Sequence, residues 1–215
     1  VEQMNAASNR YDGEVRAVDA GLARLVELLE ETGERERTLI VFCADHGEML
    51  YEQVNFPYLV QQVQTDAGGL PGGVMDLFGA GHRPWYYEEL WRTPLILSGP
   101  GMPRGERRGG LAANLDVYPT LLEALGLPRP PHVTGESLLG ARVPERVQVF
   151  AYGHHTTAVL DGAGEKLVVH WPRSFLLPNE DDAPLELFDL ATDPTEQCNL
   201  AGARPELAAE LRAAN

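Results

Sequence analysis

Hydrophobic positions in this chain change their rhythm several times. From Tyr11 to Thr32, residues Val15, Val18, Leu22, Leu25, Val26 and Leu29 recur at the i, i+3, i+4 spacing of one helical face, while Arg16, Arg24, Glu27 and Glu31 fall elsewhere. This spacing predicts an amphipathic helix, with Asp12 as its N-cap and Gly33 just past its end. A polar Gly-Glu-Arg-Glu-Arg loop follows, and the helical rhythm stops. Leu39, Ile40, Val41, Phe42 and Cys43 then form an unbroken apolar run, short and rich in β-branched and aromatic residues. Such a run predicts a strand buried on both faces, as in the middle of a parallel sheet. Helix, loop and buried strand make one αβ unit of a layered α/β fold.

The stretch from Tyr51 to Gly81 has no sustained period and is rich in glycine, which predicts a lid or side-wall, with a short helix over Tyr58–Val63. Thr93 to Leu97 reads as a second buried strand, Pro94 standing near its start, where a missing N–H does least harm. Leu115 to Leu125 is the next helix, with Asp116 as a cap, Pro119 in the first turn, and Gly126 and Pro128 as its stop. Its Leu121, Leu122 and Leu125 would face the sheet. Pro128 to Leu139 is a proline-rich crossing segment. From Val147 the texture becomes short strand-like runs (147–152, 156–160, 166–171 and 185–190) separated by turns such as Asp161-Gly162, which predicts a small antiparallel sheet. Pro205 to Ala214 closes the chain as a helix. The expected organisation is an α/β core over 1–146 and a small antiparallel-sheet subdomain over 147–215.

Composition narrows the function classes. The chain has 215 residues and a formal net charge of -15, so its field repels nucleic acid and anionic membranes, and an anion site needs a local cation. No apolar run approaches the roughly 20 residues of a membrane span. The two cysteines, Cys43 and Cys198, read as free thiols rather than a disulfide framework; the location stays open, cytoplasmic favoured over secreted.

The chemistry concentrates where the first strand ends. Asp45, His46 and Gly47 follow its carboxyl end, and in open α/β sheets ligands bind outside that edge. A carboxylate and an imidazole side by side there can share one divalent cation. The same residues also suit a plain strand-end turn, with Asp45 bonding local N–H groups and His46 on the surface. Gly47 would let the chain turn sharply without a Cβ in the way.

Several stretches together resemble the sulfatase family of the alkaline-phosphatase-like superfamily: TLIVFCADHGE, YYEELWRTPLILSGPGM, LDVYPTLLEALGLPRPPHVTGESLL and LELFDLATDPTEQCNLA, in the family's order, preceded by the helix EVRAVDAGLARLVELLEETG. The resemblance implies an α/β/α sandwich with a small C-terminal antiparallel sheet. It implies hydrolysis of a small sulfate ester with a divalent metal (Ca, Mn or Zn), Asp45 and His46 being two ligands. Many members carry Asn after the Asp; the His form occurs in members that also handle phosphate or phosphonate esters, which keeps such an ester as the alternative substrate. The family's lysine before the Tyr-Glu-Glu block falls here on Arg83, whose guanidinium can grip two anionic oxygens at once. His82 beside it suits a substrate contact or a proton donor to the leaving oxygen. A surface arginine and a turn histidine are the ordinary readings of the same two residues.

The family's nucleophile lies in a Cys-x-Pro/Ala-x-Arg motif, or its Ser equivalent, which matures to formylglycine. Neither Cys43-Ala44-Asp45 nor Cys198-Asn199-Leu200 fits it. The expectation is therefore the C-terminal half of the domain, inactive until an N-terminal half or a complementing chain supplies formylglycine and the remaining metal carboxylates; a homo-oligomer is a separate expectation for its assembly. A non-catalytic subunit that keeps the fold is the reading from another class. Other tempting residues carry weaker signals. His154-His155 on a strand would point to opposite faces, Trp85, Tyr86 and Tyr87 suit packing, and Asn179 to Asp182 lacks the alternate spacing of a calcium loop.

Overall fold

The computed structural model describes residues 2–50, 80–81, 86–140, 148–152, 156–170 and 185–214. The first helix, α1, spans Glu2–Glu31 and so begins nine residues before the periodic stretch. Asp12 lies inside it and caps nothing; the polar residues before Tyr11 carry no apolar period, yet contain no proline to stop a helix. Its end is as expected: Gly33 takes a left-handed φ of 72°, open to glycine without steric cost.

Strand β1 (Ile40–Cys43) follows a single 3-10 turn at Arg35–Arg37. Its partner is β4 (Leu95–Ser98), and the pair is antiparallel, Ile40 facing Ser98 and Cys43 facing Leu95. Here the sequence reading is corrected twice. A continuous apolar run does not specify strand direction, and burial on both faces does not hold: Ile40, Val41 and Phe42 are half-buried, and Cys43 is exposed. Between the two strands lie the short pair β2 (Met49–Leu50) and β3 (Ala80–Gly81) and the one-turn helix α2 (Glu88–Trp91).

Helix α3 (Val117–Ala124) enters through a 3-10 turn at Asn114–Asp116. Asp116 is fully buried but does not cap α3. Its Oδ2 accepts the Ala113 N–H and its Oδ1 the Glu136 N–H, each at 2.8 Å. Thr120 Oγ1 accepts the Leu138 N–H at 3.0 Å, so two polar side chains pin the proline-rich crossing segment to the helix. Leu121 and Leu122 are half-buried, whereas Leu125 is 67% exposed, against expectation: it lies past the last helical turn, where Gly126 redirects the chain.

The C-terminal part is the antiparallel meander read from the sequence: β5 (Gln148–Tyr152), β6 (Thr156–Asp161), β7 (Glu165–His170) and β8 (Leu185–Asp189), in that spatial order. Alternation along the strands sorts its residues into two faces. Val159, Leu167, Val169 and Leu187 pack against Ala208 and Leu211 of the final helix, α4 (Pro205–Ala214). Ala158, Val168 and Phe188 pack the other way, against Met49, Tyr87 and Leu90. One core cluster thus joins the small sheet to the loop beyond β1.

Candidate active site at the rim of β1

The turn leaving β1 carries Asp45 and His46 in the local bonds of a strand-end turn. Asp45 Oδ1 accepts the His46 N–H at 2.9 Å, the local bond of a strand-end turn. His46 Nδ1 lies 2.7 Å from the Gly47 carbonyl oxygen. A carbonyl only accepts, so Nδ1 bears a proton in this contact and Nε2 is the ring nitrogen that faces the carboxylate. That Nε2 sits 3.6 Å from Asp45 Oδ2. A carboxylate oxygen and a ring nitrogen side by side, with the ring's other nitrogen held by a carbonyl, is the donor arrangement of a metal-binding histidine. The residues present therefore fit a divalent cation as two of its ligands. Among the described residues, no group of three or more His, Cys, Asp or Glu side chains converges to complete such a site.

Two contacts from distant sequence hold this turn. The Gly47 N–H donates to the Leu90 carbonyl of α2 at 2.8 Å. A Cβ on Gly47 would run into the Glu89 carbonyl, so glycine is required for close backbone approach rather than for the sharp turn expected of it. On the other side, the Asn114 amide nitrogen donates to the Ala44 carbonyl at 2.9 Å and the Asp45 carbonyl at 3.1 Å.

Behind the rim, α2 is anchored to the small sheet by buried charge. The Glu88 N–H donates to Glu196 Oε2 at 2.6 Å. Lys166 Nζ lies 3.0 Å from Glu88 Oε1 and 2.8 Å from Glu196 Oε1, with the Lys166 and Glu196 side chains wholly buried. The Glu88 contact is a hydrogen bond, and the Glu196 contact is an ion pair at hydrogen-bonding distance. The ammonium also stands over the Trp91 ring, 4.7 Å from its centroid. Burial pushes the Glu196 carboxyl up to about 7, with Lys166 pulling the other way. Glu196 holds a left-handed φ of 54°, a conformation that costs a non-glycine residue energy. Beside this cluster, Tyr87 donates to Glu186 Oε2 at 2.6 Å, and His170 Nε2 lies 2.7 Å from the same oxygen. Burial first, then the Glu186 charge, holds the Tyr87 phenol well above its usual range, so it stays protonated as the donor.

His82, Arg83 and Trp85 lie outside the described residues, as do the Tyr58–Val63 helix, His154, His155 and the 179–182 loop. Of the predicted site, the structure brings together Asp45 and His46. Sequence reasoning did not single out Asn114, Lys166 or Glu196. The available signal for Lys166 was its position in the strand register, sharing the inward face of Val168 and His170.

Comparisons with known proteins converge on one family. The sulfatase family model matches residues 2–127, and the model for the C-terminal region of N-sulphoglucosamine sulphohydrolase matches residues 78–213. Arylsulfatase K of Xenopus laevis is 27% identical over 208 residues, covering 90% of this chain and 33% of that protein. The multifunctional alkaline phosphatase superfamily protein PehA of Trinickia caryophylli is 29% identical over 228 residues, covering 99% and 39%. The chain thus spans about a third of the length of the curated relatives it matches. Among solved structures, a protein in complex with its substrate D-glucosamine-2-N,6-O-disulfate aligns with a TM-score of 0.68 at 24% identity, over 93% of this chain and 37% of that one. The phosphonate monoester hydrolase of Agrobacterium radiobacter aligns with a TM-score of 0.66 at 22% identity, over 95% and 39%. These two likenesses are of fold, that of an α/β sandwich carrying a small antiparallel sheet and a final helix.

Proposed function

This chain belongs to the sulfatase family, and from that premise we propose that it forms part of a metal-dependent sulfuric ester hydrolase, with its metal rim at Asp45 and His46. The observation that carries the reading is the approach of Asp45 Oδ2 and His46 Nε2 to 3.6 Å with Nδ1 already committed to a carbonyl. A divalent cation (Ca, Mn or Zn) bound there supplies positive charge to neutralise the ester's anionic oxygens. Asp45 and His46 hold that charge at the strand end. Arg83 grips the remaining ester oxygens, and His82 gives a proton to the departing alkoxide. The nucleophile is a formylglycine from a segment outside these 215 residues, on this polypeptide or another, because neither cysteine sits in a maturation motif. In this reading 1–146 is the catalytic core and 147–215 a subdomain that supports α2 behind the rim.

A phosphate or phosphonate ester is the second reading, favoured by His46 in the position where many members carry Asn. The test is turnover of an aryl sulfate and an aryl phosphonate by the complete protein and by Asp45→Ala. Faster sulfate turnover that Asp45→Ala removes supports the first reading; faster phosphonate turnover supports the second. Full activity in Asp45→Ala, or robust turnover by these 215 residues alone, overturns the scheme.

A further inference from the structure

We infer that Asn114 is a positioning residue for the Asp45–His46 pair, an inference whose cation-binding half rests on the proposed metal rim. Asn114 is 69 residues from Asp45 in sequence. Its amide nitrogen donates to two successive carbonyls, Ala44 at 2.9 Å and Asp45 at 3.1 Å, while its Oδ1 accepts from Thr93 Oγ1 at 3.2 Å. The three bonds fix which end of the amide is nitrogen. No other side chain of this size offers two N–H groups to adjacent carbonyls and an acceptor to a hydroxyl. Aspartate has the same shape, but would set a lone pair against two carbonyl oxygens. Holding both carbonyls fixes the two peptide planes that flank the Asp45 Cα, and with them the direction in which its carboxylate leaves the chain. The Gly47 amide is held from the opposite side by Leu90. The turn is therefore bracketed, Asn114 on the carbonyls before His46 and α2 on the amide after it. Such outer contacts to a ligand loop set how well its donors are aimed at a cation.

Four variants of the intact protein test this: Asn114→Asp, Asn114→Ala, Asp45→Ala and, as a control, Arg35→Ala. Arg35 bonds Ser98 and the Thr38 carbonyl at the far end of the β1–β4 pair, so its loss loosens the same strands without touching the turn. The first readout needs no metal: amide hydrogen exchange at His46 and Gly47. Asn114→Asp is expected to speed it about tenfold, roughly the worth of one well-made hydrogen bond, with Asn114→Ala moving the same way and Arg35→Ala leaving it unchanged. The second is Mn²⁺ affinity by calorimetry, which Asn114→Asp is expected to weaken about 10–100-fold. Unchanged exchange in both Asn114 variants overturns the inference. So does an Mn²⁺ affinity that Asp45→Ala lowers and Asn114→Asp does not. If Asp45→Ala leaves Mn²⁺ affinity at the wild-type level, the metal rim itself fails, and exchange alone decides the role of Asn114. If Asn114→Asp does not fold, Asn114→Ala carries both readouts.

Discussion

The β1–β4 pair is built from more continuously apolar runs than the β6–β8 sheet, yet it is the less buried of the two. In the small sheet, Val159, Leu167, Val168, Val169 and Leu187 are fully buried, because α4 covers one face and α2 with Met49 covers the other. In the β1–β4 pair, Ile96 is 56% exposed, and on α1 Val15 and Val18 are 52% and 56% exposed. Hydrophobic sequence states what a segment can bury. Whether it is buried depends on a second layer reaching it. The small sheet also tolerates inward charge, since Lys166 meets Glu88, Glu196 and the Trp91 face together, whereas the rim of β1 leaves Asp45 and His46 open to solvent.

The sharpest way to break this contrast is Lys166→Ala. It strands two carboxylates behind the rim, and loss of one partner of a buried pair costs about 3–5 kcal/mol. Guanidinium unfolding should show the midpoint falling accordingly, and a loss below ~1 kcal/mol would mean the cluster is solvated after all. Next is Leu167→Ala, which deletes a core side chain between β8 and α4 and should cost about 2–5 kcal/mol in the same assay.

A third test uses pH. Glu196 keeps its proton to about 7 in the folded chain, against 4.5 ordinarily. Between those values the folded state binds more protons than the unfolded one, so this group's contribution is greatest below about 4.5 and is lost as pH rises to about 7. The loss is on the order of 3 kcal/mol at most. Glu196→Gln should flatten that part of the stability profile relative to wild type; parallel profiles would refute the assignment. The smallest effect is expected from Val18→Ala on the exposed stripe of α1, within about 0.5 kcal/mol beyond its helix preference. A cost near that of Leu167→Ala would mean the stripe is covered in solution.

Much of this was legible in local sequence. The runs at 40–43, 95–98, 156–161 and 185–189 are bounded by turn residues, and Gly33 and Gly126 stop their helices as their position suggests. Asp45 and His46 were legible too, being adjacent in the chain at the end of such a run. Pairing direction was not, because β1 meets β4 across more than fifty residues of intervening chain whose pattern carries no register. The early start of α1 was missed because the residues before Tyr11 have helix-compatible chemistry without apolar spacing. Asn114 meets the rim turn 69 residues away and Lys166 meets Glu88 78 residues away, and single polar residues give no local sign of such partners.

The exposed stripe of α1 has a colloidal consequence. At neutral pH a charge of -15 keeps copies of this chain apart despite their bare valines and leucines. Near the isoelectric point of about 4.7 that repulsion vanishes. Acid conditions, which relieve the buried Glu196, are the same ones that invite the stripe to self-adhere, so precipitation should set in on the acid side while each molecule's small sheet is still intact.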